Sequence, residues 1–114
     1  MSEIQTIARL KIHDGKLEEF KRLVAQCMEV VRTKDPGTLQ YEVYFNEDQT
    51  ECLALERYRD SQSLLEHHKN IGGLMDAILQ TCTGSGEVCG AATPELAQAL
   101  EGSPVRLFRP YLAL

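Results

Sequence analysis

The chain has 114 residues, 43% of them hydrophobic and 25% charged, and a formal net charge of -5. That is the size and balance of one ordinary globular domain, neither disordered nor fibrous. The negative balance, with Lys and Arg scattered and never clustered, argues against binding to nucleic acid or an anionic membrane. The amino terminus, Met-Ser-Glu-Ile-Gln-Thr, has no basic and apolar leader, and no apolar run approaches a membrane span. The cytosol is the expected compartment.

In chain order, Ile4 to Ile12 alternates, with Ile4, Thr6, Ala8, Leu10 and Ile12 on one face, which predicts a strand. Asp14 is a plausible cap for the helix that follows, where Leu17, Phe20, Leu23, Val24, Cys27, Val30 and Val31 recur at helical spacing. Asp35-Pro36-Gly37-Thr38 predicts a turn, proline presetting its first central position and glycine taking a positive dihedral at the second. The next strand puts Leu39, Tyr41, Val43 and Phe45 on one face and Gln40, Glu42 and Tyr44 on the other. A polar loop, Asn46 to Gln49, leads into a returning strand that is apolar on both sides. Leu53 and Leu55 face one way; Cys52, Ala54, Glu56 and Tyr58 face the other.

Asp60 or Ser61 caps a helix from about Gln62. Leu64, Leu65 and His68 share its apolar stripe, with His67 beside it. Ile71-Gly72-Gly73-Leu74 breaks or bends this helix, which resumes through Leu79. Thr83-Gly84-Ser85-Gly86 lacks the spacing and the lysine of a phosphate loop and is expected to be a turn. A short strand is expected over Glu87 to Gly90. Thr93-Pro94-Glu95 starts a small helix that ends near Gly102, and Val105 to Arg109 is a last strand.

Cysteines stand at positions 27, 52, 82 and 89, with no Cys-x-x-Cys. They are expected to be small buried hydrophobes in a reducing compartment, although Cys82 and Cys89 bracket the glycine-containing turn and could bridge if oxidised. The usual metal-ligand spacings are absent, so no metal is expected.

The order strand, helix, strand, strand, helix, strand is the split β-α-β plan of ferredoxin-like α+β domains, built on an antiparallel sheet. Helices cover one face of such a sheet. The third strand is apolar on both sides, so the other face needs a cover too. A second copy of the same sheet supplies it most economically, which predicts a two-fold homodimer packed sheet against sheet.

With Pro36-Gly37-Thr-Leu-Gln-Tyr41-Glu-Val-Tyr44, Leu55-Glu56-Arg-Tyr58-Arg-Asp60 and Leu64-Leu65-Glu66-His67 in place, the chain resembles the antibiotic biosynthesis monooxygenase family of dimeric α+β barrels. The resemblance spans most of the first eighty residues, includes the spacing from Glu56 to His67, and implies one such domain with an extra strand-helix-strand segment from about residue 84. There is no tryptophan where many relatives carry one at Tyr58, which argues against haem degradation. The resemblance implies a cofactor-free oxygenase that deprotonates a phenol, anthrone or quinol and lets the anion meet oxygen directly.

On that reading His67 is the base or donor, with Glu56 orienting it or taking the proton. Tyr58, Tyr41 and Tyr44 line the pocket, and His68 is in reserve. The structural alternatives are an ion pair of Glu56 with Arg57 or Arg59, a solvated His68 and tyrosines that only pack. Two other functions fit the same barrel: an isomerase for a small hydroxyketone, and a non-enzymatic dimer that binds a small ligand. The apolar tail Pro110 to Leu114 is expected to pack at an interface.

Overall fold

The computed structural model describes residues 3–114. Its elements are β1 (Ile4–Ile12), α1 (Leu17–Lys34), β2 (Thr38–Phe45), β3 (Glu51–Tyr58), α2 (Ser61–Ile71), α3 (Gly73–Leu79), β4 (Cys82–Cys89), α4 (Pro94–Leu100) and β5 (Val105–Phe108). One sheet runs in the order β2-β3-β1-β4-β5. Its first four strands pair antiparallel in the ferredoxin-like arrangement, while β5 joins β4 in parallel. The sheet is therefore mixed, because the α4 crossover returns the chain in the direction of β4.

β1 follows its alternation: Ile4 is fully buried, and the residues two, four, six and eight further on share its face. α1 buries Phe20, Leu23 and Cys27, and the ring of Phe20 meets that of Phe45 edge-on at 6.0 Å. Asp14 does not cap this helix. The N-cap is Lys16, with no side-chain cap bond, because Gly15 at φ 77° turns the chain and Lys16 N–H donates to the His13 carbonyl at 3.0 Å.

The turn before β2 forms, with Thr38 N–H donating to the Asp35 carbonyl at 3.0 Å. Gly37 is not among the positive-φ glycines, so its role is not dihedral freedom. A Cβ there would stand 2.1 Å from Ser63 Oγ, and glycine lets the turn close on α2. Pairing then slips: Thr38 faces Tyr58 but Gln40 faces Arg57, which leaves Leu39 as the extra residue of a bulge. Leu39 is consequently 44% exposed instead of sharing the buried face of Tyr41, Val43 and Phe45.

Asp60 caps α2 by accepting from Ser63 N–H at 2.8 Å. Gly72, at φ 38°, separates α2 from α3. The expected turn at Thr83 to Gly86 is strand instead: β4 runs from Cys82 and pairs with β1 throughout. Its glycines serve close approach. A Cβ on Gly86 would lie 2.3 Å from the Ile7 carbonyl oxygen, and one on Gly84 would meet Leu10 at 3.1 Å. Cys82 and Cys89 thus sit at opposite ends of one strand. Seven residue steps of about 3.3 Å hold them far beyond the ~7 Å Cα reach of a disulfide, and all four cysteines are free.

Thr93 caps α4 by accepting from Leu96 N–H at 3.2 Å, with Pro94 at the first position. The core falls into two clusters. Ile4, Tyr58, Leu64, Val88, Leu96 and Leu100 form one, joined by α4. Phe20, Leu23, Cys27, Cys52, Ile71, Ile78 and Cys82 form the other, under α1 and α3. The opposite sheet face carries Ile7, Leu53 and Leu55, half-buried, with Tyr44 50% and Phe108 43% exposed. No helix among the described residues is long and apolar enough to cross a membrane.

Candidate functional site

A cavity of about 340 Å³ lies between the helix-covered face of the sheet and α2, α3 and α4. Residues of both core clusters wall it, among them Leu64, Val88 and Leu100 from one and Cys52, Ile71 and Ile78 from the other. The wall is largely apolar, and Tyr41, Glu56 and His67 are among its polar residues. Gly84 and Gly86 line it as well, so β4 projects no side chain into the space at those two positions.

His67 is on the buried stripe of α2 with Leu64 and Ile71, and it is 2% exposed. The stripe is rotated by one residue from the one expected, so His67 points in and His68 stands at the cavity mouth, exposed. His67 Nδ1 lies 2.6 Å from Asp35 Oδ2, with both side chains 2% exposed. Asn70 Nδ2 donates to the other Asp35 oxygen at 2.5 Å and to the Lys34 carbonyl at 3.2 Å. An ionised carboxylate only accepts, so Nδ1 is the donor in this pair and Nε2 is the ring nitrogen that Asp35 does not hold. The rings of Tyr41 and Tyr58 flank His67, each with its centroid at 5.4 Å.

Glu56 is on the helix-covered face of β3 because alternation from Cys52 and Ala54 puts it there. Tyr58, two residues on and fully buried, donates its hydroxyl to Glu56 Oε1. Burial pushes the Glu56 carboxyl above its usual pKa, against the pull of Tyr58, His67 and Thr6. Burial and then the Glu56 charge raise Tyr41, and the same two causes raise Tyr58, so both phenols keep their protons. Partial burial and then His67 push His68 down.

The arginines next to Glu56 in sequence go elsewhere. Arg57 pairs with Glu3 at 3.1 Å, and Arg59 approaches Asp60 at 3.9 Å. Tyr58 lies behind Glu56 and does not line the cavity. Tyr44 is on the open sheet face, donating to Glu42 at 3.0 Å, and is therefore outside this constellation. Asp35, Asn70 and Thr6 belong to it and were missed from sequence. Asp35 reads as an ordinary turn residue before proline. The signal available was its place one residue beyond a long helix, where a buried aspartate must find a partner.

The antibiotic biosynthesis monooxygenase family model matches residues 4–72, more than half of the chain. Among solved structures, MupZ from Pseudomonas fluorescens is similar over all of this chain and 94% of its own, at 26% identity and a TM-score of 0.88. SnoaB, a cofactor-independent oxygenase from Streptomyces nogalater, is similar over 82% of this chain and 96% of its own, at 16% identity and a TM-score of 0.70. A conserved protein from Methanosarcina mazei is similar over 77% and 89%, at 22% identity and 0.67. Comparison with curated proteins finds no match. The chain belongs to the antibiotic biosynthesis monooxygenase family.

Proposed function

We propose that this protein is a cofactor-independent monooxygenase that works in the cytosol, as a two-fold dimer, on a quinol- or anthrone-like aromatic. The observation that carries the reading is His67, paired with Asp35, in the wall of a largely apolar cavity. Asp35, held by Asn70, fixes the imidazole so that Nε2 takes the substrate proton. The Tyr41 hydroxyl donates to the oxyanion that forms, and His68 guards the mouth. The delocalised anion then passes electrons directly to oxygen. For an anthrone, one oxygen atom becomes the new carbonyl and the other leaves as water, with the two ring-methylene hydrogens. Tyr58 keeps Glu56 in place.

The second copy covers the face that bears Ile7, Leu53 and Leu55, since a sheet apolar on both sides needs two covers. Tyr111 and Leu112, 91% and 83% exposed in the single chain, gain a partner surface in the same assembly. Leu55→Asp is expected to convert a dimer mass into a monomer mass while keeping the helical fold; a wild-type monomer overturns this part of the reading.

Oxygen uptake on a panel of quinols and anthrones tests the chemistry. Uptake above the buffer control is expected, and His67→Ala lowers it by about 10²–10⁴-fold. Uptake equal to buffer across the panel overturns the proposal.

A further inference from the structure

A base alone is enough to prepare a quinol for oxidation by oxygen, since its hydroxyl is already acidic. This cavity holds more than a base. Glu56 lines it together with His67, yet no Lys or Arg among the described residues pairs with the carboxylate. No Lys or Arg side chain is among the described residues that line the cavity, and the ion pairs of the neighbouring arginines go to Glu3 and Asp60. The groups that face Glu56 are Thr6 from β1, Tyr41 from β2, Tyr58 from its own strand, His67 from α2 and Cys27 from α1. Only His67 among them can carry positive charge.

Two arrangements place the same number of protons on this cluster. In one, Asp35 is ionised and His67 and Glu56 are neutral. In the other, Asp35 and Glu56 are both ionised around an imidazolium. The first buries one charge, already answered by Asn70 and the imidazole N–H. The second buries three in an apolar wall, and each uncompensated charge moved from water is costly. Burial favours the neutral Glu56 of the first arrangement. Tyr58 and Thr6 hydrogen-bond the Glu56 carboxyl, which itself lines the cavity.

We propose that Glu56 is the neutral, proton-donating partner of His67, and that the site takes a carbonyl compound with an acidic C–H conjugated to the carbonyl, not a phenolic quinol. This rests on the cavity being the active site, as proposed above. His67 Nε2 removes the carbon-bound proton as Glu56 gives its proton to the carbonyl oxygen, and a neutral enol results. The reverse transfer returns both protons, so the step needs no oxidant. A neutral carboxylic acid kept in an apolar site to donate to an oxyanion is an established device in other folds.

Two measurements test it. Infrared difference spectra between wild type and Glu56→Gln at pH 7 are expected to contain a protonated-carboxyl carbonyl band that the variant lacks; its absence overturns the proposal. In the second, anthrone is incubated anaerobically in D₂O and exchange of its methylene protons is followed by NMR. Wild type is expected to accelerate exchange without oxygen. Glu56→Gln, which can hydrogen-bond to the carbonyl oxygen but cannot protonate it, and Glu56→Ala are both expected about 10²–10³-fold below wild type. If Glu56→Gln exchanges as fast as wild type, or if quinols drive oxygen uptake while no carbon acid exchanges, the inference falls and the monooxygenase reading stands. If neither exchange nor oxygen uptake exceeds buffer, both fall.

Discussion

The two faces of the sheet are built from the same five strands and differ in nearly everything else. The face under the helices carries fully buried Ile4 and Tyr58, the cavity, and every titratable group that converges on it. The open face carries half-buried Ile7, Leu53 and Leu55 among charges such as Arg9 and Glu87, which pair at 2.9 Å. One face is a finished core with a hole in it; the other is a half-buried apolar surface with charges among it, which the proposed dimer would cover. Packing free energy is therefore concentrated on one side of β1 and β3, and assembly free energy on the other.

The largest contrast is expected in stability. Phe20→Ala removes a fully buried ring that packs on Phe45 and should cost about 3–5 kcal/mol in chemical denaturation. Tyr44→Ala on the open face should stay within about 0.5 kcal/mol in a monomeric sample. Equal losses would break the contrast. Next comes Asp35→Asn, which keeps the size of the side chain but loses the charge and has one acceptor oxygen where His67 and Asn70 use two. Turnover should fall on the order of 10²-fold, with the fold retained by circular dichroism.

Smaller still is a pH effect that only the helix face should produce. The Glu56 carboxyl is raised in the folded protein by burial, so the folded state binds more protons than the unfolded state above the ordinary carboxylate pKa of about 4.3. Folding stability then falls as pH rises from there toward the raised value. Glu56→Gln removes that dependence, and the melting temperature of the variant relative to wild type should climb between pH 4 and pH 7. A flat difference would mean that Glu56 is not held neutral. The least change is expected from Arg9→Ala, an exposed pair worth under about 1 kcal/mol.

Legibility from sequence followed the same division. Alternation in β1 and β3, the stripe of α1 and the caps at Asp60 and Thr93 were readable because each depends on neighbours within a turn or two. β4 was not, since Thr-Gly-Ser-Gly has turn composition, and only the approach of Ile7 and Leu10 explains why a strand there needs glycine. The bulge at Leu39 was hidden for a similar reason: it is a property of pairing with β3, not of β2 alone. At the site, Glu56 and His67 could be named from their spacing. Asp35 could not, because its partner is 32 positions away and meets it only once α2 folds back over the turn. Tyr44 was read as part of the pocket on residue type, whereas strand parity sends it to the open face.

The central claim is that small molecules enter beneath the helices while the open face meets a second copy. Backbone amide NMR on one sample, titrated with anthrone and then diluted, tests it directly. Anthrone should shift the amides of Tyr41, His67 and Ile71, and dilution should shift those of Ile7, Leu53 and Leu55. Ligand shifts centred on Leu53 and Leu55, with Tyr41 and His67 unmoved, would contradict it.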